Sequence, residues 1–295
     1  MKTLAHFLLV SCIVFGLSLG SPGRAHADEI QPAIYILLDT SGSMIYQATS
    51  ETSAHGDGSL EHPHSAGRIS RLYMAKNAIS QIIAAYGEVR WGFVRFDQIE
   101  GDRIVCPCND QGDVDPSEEF DYLGNPSARS CSSYALGPDL PGVTDKVCYN
   151  YTTGNCTAGA ESGDLLVPLG DDTEAAISLW VNHQESAWPD RSDPEIRAYW
   201  ATPIAGSLLT IRDQIRGTDL AADSLRGCRP YSVILLTDGD ESCGGTPSTA
   251  ATALRTVVNN SEVCTTNSQC ESGVCNTGLS RCQYEVKTYV IAFAL

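Results

Sequence analysis

Positive charge is scarce in this sequence. Its 295 residues contain 19 Lys and Arg against 36 Asp and Glu, which gives a formal net charge of −17 at pH 7. A surface this acidic repels phosphate groups, so nucleic acid and anionic membrane surfaces are poor partners. The same acidity suits the binding of cations, although a solvated acidic surface on an exported protein accounts for it equally well.

Long apolar runs are missing beyond the amino-terminal region. Residues 4–19 form one short apolar stretch behind Lys2, and the small-residue sequence Ala25-His26-Ala27 follows. This order is typical of a secretory signal peptide, so we predict that residues 1–27 are removed. No later segment is long and apolar enough to cross a bilayer. The expected location is secreted, periplasmic or cell surface, with a lipoprotein anchored at Cys12 as the alternative.

The cysteine spacing lacks the two-plus-two arrangement of a zinc ribbon or finger. The chain has 12 cysteines, and Cys12 is lost with the signal. In an exported protein the remaining cysteines are expected to form disulfides. We therefore predict one domain over 28–295 that carries two Cys-rich insertions. The first, at about 101–164, shows no sustained periodicity, and the second is a small knot at about 262–283.

Residues 34–44, IYILLDTSGSM, join an apolar, branched run to a polar end. The run predicts a strand buried on both faces, as in the middle of a parallel sheet. Asp39, Ser41 and Ser43 then lie at the carboxyl end of that strand, where open α/β sheets bind ligands. One carboxylate and two hydroxyls are hard oxygen ligands that suit Mg²⁺ with water. The same residues are also typical of an ordinary turn. A metal site is therefore indicated only if other parts of the chain supply the remaining ligands.

Strands and helices alternate along the rest of the sequence. Periodicity and cap residues predict strands at 89–97, 165–169, 231–237 and 286–295, and helices at about 69–86, 171–182, from 203, and at about 248–259. This alternation predicts an α/β fold with a doubly wound, mostly parallel central sheet flanked by helices. A chain that stops on a buried strand leaves an apolar edge, so the last strand–helix unit is expected to be missing, as in a fragment or a shortened gene product.

Two further residues complete a known pattern. Thr202, in ATPIAG, is predicted at the N-cap of a helix, and Asp238, in LLTDG, follows the strand 231–237. The order Asp-x-Ser-x-Ser, a distant Thr, then an Asp resembles the metal-ion-dependent adhesion site of the von Willebrand factor type A domain, in its exported bacterial form. The resemblance covers about Gln31 to Leu295 and is interrupted by the two insertions.

The resemblance implies a divalent-cation-dependent, adhesion-type binding module without enzymatic activity. Its metal ligands would be Asp39, Ser41, Ser43, Thr202 and Asp238, with Asp238 acting either directly or through water. Mg²⁺ is the expected cation, with Mn²⁺ and Ca²⁺ as alternatives. A partner protein or cell-surface ligand would supply a carboxylate to an open position on the ion.

Two other functions compete with this interpretation. The sequence around Asp39, LLDTSG, loosely resembles the loop of an aspartic protease, which would make the chain a hydrolase. That chemistry needs two carboxylates that share a proton, and the chain has no second Asp-Thr/Ser-Gly. The other alternative is a purely structural exported protein whose site only stabilises its loops. Asp240 and Glu241 also follow Asp238, and exposure to solvent is the usual state of such residues.

The positions of the cysteines relative to the predicted strands divide them between two ends of the sheet. Cys243 follows the strand 231–237, on the metal side, whereas Cys228 precedes it. The strand separates them by about 20 Å at roughly 3.3 Å per residue, which is too far for a disulfide. We predict that Cys243 bridges to the long insertion, and that one thiol among Cys228 and the knot cysteines remains unpaired.

Overall fold

The computed structural model of the chain describes residues 30–50, 68–96, 163–184, 195–196, 198 and 201–293, together with the backbone of four short strands between residues 104 and 149. The predicted signal peptide and most of the first insertion lie outside these residues. Within them, no helix is both long and apolar enough to cross a membrane.

The strands and helices of the described residues are named here in chain order. The strands are β1 (Ala33–Leu38), β2 (Arg90–Phe96), β3 (Ile104–Cys108), β4 (Phe120–Asp121), β5 (Ala135–Leu136), β6 (Lys146–Tyr149), β7 (Gly163–Gly170), β8 (Tyr231–Thr237), β9 (Thr256–Val263), β10 (Cys275–Asn276) and β11 (Arg281–Ala292). The α-helices are α1 (Arg71–Ala85), α2 (Glu174–Val181), α3 (Ile204–Gln214), α4 (Leu220–Ala222) and α5 (Pro247–Arg255). A 3-10 helix, Gly42–Ile45, follows β1, and a π-helical turn, Ile215–Asp219, joins α3 to α4.

The large sheet has the strand order β10-β11-β8-β1-β2-β7, and β9 also pairs with β11. The four central strands, β11, β8, β1 and β2, are parallel to one another. By contrast, β7 runs antiparallel to β2, and both β9 and β10 run antiparallel to β11. The strands β4-β3-β6-β5 form a separate sheet that is antiparallel throughout.

The predicted fold class, a doubly wound and mostly parallel sheet, is therefore wrong. The sheet is mixed, because half of the strand pairings in the large sheet are antiparallel, as is every pairing in the small one. The reason lies in where the Cys-rich segments return the chain. Gly163 at the start of β7 lies opposite Phe96 at the end of β2, so β7 must run back along β2. Hydrophobic periodicity predicts that a segment is a strand but does not predict the direction of its neighbour.

Strand β1 lies in the middle of the hydrophobic core. Tyr35 and Leu37 pack into a cluster with α3 and α5, whereas Ile36 and Leu38 pack into a second cluster with α1 and α2. Successive side chains of a strand point to opposite faces, so a strand covered on both sides needs an uninterrupted apolar run. The prediction that this strand is buried on both faces is confirmed.

The predicted helix at 248–259 is shorter than expected. Helix α5 ends at Arg255, and the chain continues as strand β9 from Thr256. Thr256, Val257 and Val258 are β-branched, which favours the extended chain, and Val257 is buried in the core. Tertiary packing has therefore ended the helix one turn early.

Two disulfides, Cys264–Cys275 and Cys270–Cys282, close the segment between β9 and β11. This segment lies at the amino end of β8, because Val286 in β11 is opposite Tyr231. Cys228 is unpaired and exposed, which confirms the prediction of one free thiol in this group. Cys243 is disulfide-bonded, and Cys228 is not its partner, as predicted. The predicted bridge from Cys243 to the long insertion involves residues outside those described.

Candidate functional site

The carboxyl ends of β1 and β8 lie side by side and bring two predicted ligands together. Leu38 pairs with Leu236 in the parallel ladder, so Asp39 and Asp238 both leave the sheet at the same edge. The backbone N–H of Asp39 donates to Leu236 O at 2.8 Å, and that of Asp238 donates to Asp39 Oδ2 at 3.4 Å. Strand pairing alone therefore places two buried carboxylates next to each other, although they are 199 residues apart in the chain.

Asp39 is held by hydrogen bonds but pairs with no cationic side chain among the described residues. Its Oδ1 accepts from the backbone N–H of Ser41 at 2.7 Å, and its Oδ2 accepts from the hydroxyl of Thr237 at 2.6 Å. The side chain is fully buried, and this burial raises the pKa of Asp39 to about 6 despite those hydrogen bonds. An ionised carboxylate without a countercharge is costly to bury, and a bound cation would relieve that cost.

Ser41 and Ser43 link Asp39 to Asp238, Ser41 through its backbone N–H on Asp39 and the two hydroxyls through each other. Ser41 Oγ lies 2.9 Å from Ser43 Oγ, and Ser43 Oγ donates to Asp238 Oδ1 at 2.8 Å. The 3-10 helix that starts at Gly42 turns the chain tightly enough for these two hydroxyls to meet. Ser41 and Asp238 are buried and Ser43 is half-buried, so Ser43 Oγ is the most exposed hydroxyl of the row.

Thr202 reaches the same region through the loop that follows β8. Its backbone N–H donates to Ser242 Oγ at 2.7 Å, and the N–H of Ser242 donates to Thr202 O at 3.1 Å. Its own hydroxyl forms no hydrogen bond within the described part of the chain. Helix α3 begins at Ile204, after Pro203, so the predicted N-cap role of Thr202 is wrong.

Glu241, rather than Thr202, accepts a hydrogen bond from the first turn of α3. Its Oε2 accepts from the backbone N–H of Ala205 in the first turn of α3 at 2.7 Å, and its Oε1 accepts from that of Cys243 at 2.9 Å. The carboxylate thereby ties the loop after Asp238 to the start of α3 and compensates the positive end of the helix dipole. The interpretation of Glu241 as a solvated loop residue is therefore wrong, whereas Asp240 is exposed.

Arg71 is the site residue that sequence reasoning missed. Its Nη1 donates to Asp238 Oδ2 at 2.6 Å, and both side chains are buried, with 5% and 0% exposed. Arg71 is the first residue of α1, where Ser70 caps the helix by accepting from the N–H of Tyr73 at 3.1 Å. A cation in the first turn opposes the helix dipole, and this mismatch was the one sequence signal that pointed to a buried partner.

Among the residues that the structure describes, two other clusters of ionisable or sulfur groups do not offer an equivalent site. At the opposite end of β8, Asp223 accepts from Arg229 at 2.6 Å and from the hydroxyl of Tyr231 at 2.6 Å. Burial alone would raise the pKa of Asp223, but these hydrogen bonds outweigh it and lower the pKa. The sulfurs of Cys264, Cys270 and Cys282 lie within 4.8 Å of one another, yet all three belong to disulfides and cannot serve as thiolate ligands.

The donor atoms that converge at this edge of the sheet fit a hard divalent cation. They are carboxylate and hydroxyl oxygens without nitrogen or sulfur, which suits Mg²⁺, Mn²⁺ or Ca²⁺ rather than Zn²⁺ or copper. The structure brings Asp39, Ser41, Ser43 and Asp238 into one hydrogen-bonded group, with Thr202 on the adjoining loop.

The sequence matches no protein-family model and no curated protein. Among solved structures, the adhesive tip pilin GBS104 from Group B Streptococcus agalactiae is 15% identical, with a TM-score of 0.30 over 70% of this chain and 45% of that chain. The pilus adhesin RrgA from Streptococcus pneumoniae is 16% identical, with a TM-score of 0.31 over 72% of this chain and 21% of that chain. The chain thus spans less than half the length of either protein, and such low TM-scores do not establish a shared fold.

Proposed function

We propose that this chain is an exported, adhesion-type module that binds a divalent cation, Mg²⁺ first, at a site of the von Willebrand factor type A kind. Asp39, Ser41 and Ser43 would hold the ion, and Thr202 and Asp238 would complete its surroundings. The observation that carries the proposal is the Asp39 carboxylate, which is fully buried beside two hydroxyls and has no cationic partner among the described residues.

The chemistry of the site favours recognition of an anionic ligand. When bound, the cation would supply a Lewis-acidic centre that attracts a carboxylate from a partner protein or a cell surface. Few of the proposed ligands are charged, so much of the ion's positive charge would remain for that anionic ligand. Ser43 is the member of the hydrogen-bonded group nearest to the surface, and it therefore marks the side of approach.

The disulfides support a location outside the cytoplasm. Cys264–Cys275 and Cys270–Cys282 are formed, and disulfides persist mainly in oxidising compartments. This agrees with the signal peptide predicted over 1–27, and we extend the proposal to a secreted, periplasmic or cell-surface protein.

The hydrolase alternative receives no support from the paired aspartates. An aspartic-protease mechanism requires the two carboxylates to share a proton. Asp238 instead accepts from Arg71 Nη1 at 2.6 Å and from Ser43 Oγ at 2.8 Å, so both of its oxygens already have partners other than Asp39. A shared proton between Asp39 and Asp238 is therefore not part of the proposal.

Titration calorimetry with Mg²⁺, Mn²⁺ and Ca²⁺ on the disulfide-intact protein tests the proposed site. We expect binding by the unmodified chain and none by Asp39→Asn. Asp223→Asn is the matched control, because Asp223 is also a buried aspartate near the same sheet but lies at its opposite end. Equal cation binding by all three proteins, or no binding by the unmodified chain, would refute the site.

A further inference from the structure

Arg71 places a permanent positive charge inside the candidate cation site. Its guanidinium donates to Asp238 Oδ2 at 2.6 Å, while the other oxygen, Oδ1, accepts from Ser43 Oγ at 2.8 Å. Both oxygens of Asp238 are thus engaged by groups of the protein itself. Asp39 differs, because its hydrogen-bond donors among the described residues are all neutral.

Hydrogen bonds hold both the backbone and the guanidinium group of Arg71 in place. Its backbone N–H donates to Tyr46 O at 2.9 Å, and its Nε donates to Gln47 O at 3.2 Å. Gln47 also forms a β-bridge with Ser70, the residue that caps α1. Arg71 therefore connects the segment that carries Ser43, the start of α1 and the end of β8, and it is a built part of the site rather than a surface charge.

We propose that Arg71 determines the cation affinity of this site by acting as a resident countercharge to Asp238. With Arg71 present, the charges of Asp39, Asp238 and Arg71 sum to that of one carboxylate, counted over these three described side chains. Asp238 then serves to position the hydroxyl of Ser43 rather than to attract the ion with its full charge. This inference rests on the proposed function, whose cation site it describes in more detail.

The electrostatics of a buried group give the direction of the effect. Removing the positive charge of Arg71 lets the Asp238 carboxylate attract a bound cation with its full charge. The effect should be large because charges that are shielded from water interact more strongly than exposed ones. The same removal leaves Asp238 buried without its partner, which destabilises the cation-free protein. A site with a single net negative charge holds the ion more weakly and leaves more of the ion's charge for an anionic ligand.

The test compares Arg71→Gln with Arg71→Lys by titration calorimetry with Mg²⁺ and Ca²⁺. We expect Arg71→Gln to lower the Kd at least about tenfold, and Arg71→Lys, which keeps the charge, to remain within about threefold of the unmodified chain. In thermal unfolding, Arg71→Gln should have a lower Tm without cation and a larger rise in Tm on addition of cation.

Arg229→Gln is the matched control. Arg229 pairs with Asp223 at 2.6 Å, with side chains 8% and 3% exposed, at the opposite end of β8. Its loss should lower the Tm of the cation-free protein and leave the Kd unchanged. A similar decrease of the Kd in this control would show that loss of stability, rather than local charge, tightens binding, and would overturn the inference.

A second pair of variants keeps the inference testable if Arg71→Gln does not fold. Asp238→Asn alone should raise the Kd at least about tenfold, because one of the two described carboxylates is lost while the Arg71 charge stays. Asp238→Asn combined with Arg71→Gln removes both charges together and should return the Kd to within about threefold of the unmodified chain. Unchanged or weaker binding by Arg71→Gln, or no recovery in the double variant, would overturn the role of Arg71.

Failure of the proposed function would look different from failure of this inference. If the unmodified chain binds no cation but Arg71→Gln does, Arg71 is the resident cation of the site, and the proposed function is wrong while the inference holds. If the unmodified chain binds cation and Arg71→Gln binds it no better, the proposed function holds and the inference is wrong. If neither protein binds cation, both are wrong.

Discussion

Replacing Asp39 with asparagine should stabilise the cation-free protein and abolish its response to Mg²⁺. The pKa of Asp39 rises from 3.8 to about 6 because the carboxylate is removed from water. A rise of this size costs the folded state about 3 kcal/mol at neutral pH, where the group is ionised. An asparagine has nearly the same shape and carries no charge, so it avoids this cost.

The hydrogen bonds of Asp39 set the size of the net gain. Asparagine Oδ1 can accept from the N–H of Ser41, and its amide group can donate to Thr237 Oγ1 if that hydroxyl rotates. Imperfect replacement of these bonds should cost about 1 kcal/mol. We therefore expect Asp39→Asn to be about 1–2 kcal/mol more stable than the unmodified chain at pH 7.5 without cation.

The difference between the two proteins should depend on pH in a defined direction. Because the folded-state pKa of Asp39 is raised, the folded protein holds its proton more tightly, and its stability falls as pH rises from about 4 to about 6. The advantage of Asp39→Asn should therefore appear above about pH 6 and vanish below about pH 4. With Mg²⁺ at 100 times its Kd, the unmodified chain should gain about 2.7 kcal/mol and the variant nothing.

Urea unfolding of both proteins in EDTA, at pH 4.5 and at pH 7.5, measures these differences. The reasoning fails if Asp39→Asn is the less stable protein at pH 7.5. It also fails if the difference in unfolding free energy is the same at both pH values, because the carboxylate would then carry no uncompensated charge.

Three further predictions concern the framework around the site. The lowered pKa of Asp223 contributes stability that is present above its unfolded-state pKa and is lost as pH falls through its folded-state pKa. Asp223→Asn should therefore be less stable at pH 7. In denaturant titrations at several pH values, its unfolding free energy should fall less steeply on acidification than that of the unmodified chain. Gly92→Ala would put a Cβ 2.4 Å from the ring of Tyr35 and should lower the unfolding free energy by about 1–3 kcal/mol, whereas Gly87→Ala, which meets no atom within 4 Å, should not. Lys76→Met should lower the unfolding free energy by about 3–5 kcal/mol, because the buried Glu195 then loses the ammonium group 2.5 Å away. Adding Glu195→Gln to that variant should recover part of the loss in a double-mutant cycle.

The grouping of the candidate residues was largely predictable from sequence, because two of them follow strands with a clear apolar pattern. The runs before Asp39 and Asp238 are apolar on both faces, which indicates central strands, and the carboxyl ends of neighbouring parallel strands meet at one edge. The structure indeed joins Asp39, Ser41, Ser43 and Asp238 through hydrogen bonds. Whether these residues bind a cation remains a prediction.

Arg71 and Glu241 were not predictable in the same way. Their side chains act on groups that are distant in sequence or on a neighbouring loop, and a charged residue next to a predicted helix or turn is exposed in most proteins. The local sequence pattern predicts which face of a strand or helix is buried, but it does not predict where a hydrogen-bonding partner on another element lies.

The sequence by itself determined where β1 and β8 lie, that both are buried on two faces, and which oxygen-bearing residues follow them, because these properties depend on the alternation of side chains along one strand. Only the tertiary structure decided that β7, β9 and β10 run antiparallel, that β9 replaces the end of a helix, and that Arg71 neutralises Asp238. These outcomes depend on which segments meet in space. The free energy of such a contact depends on both segments together and cannot be read from either one alone.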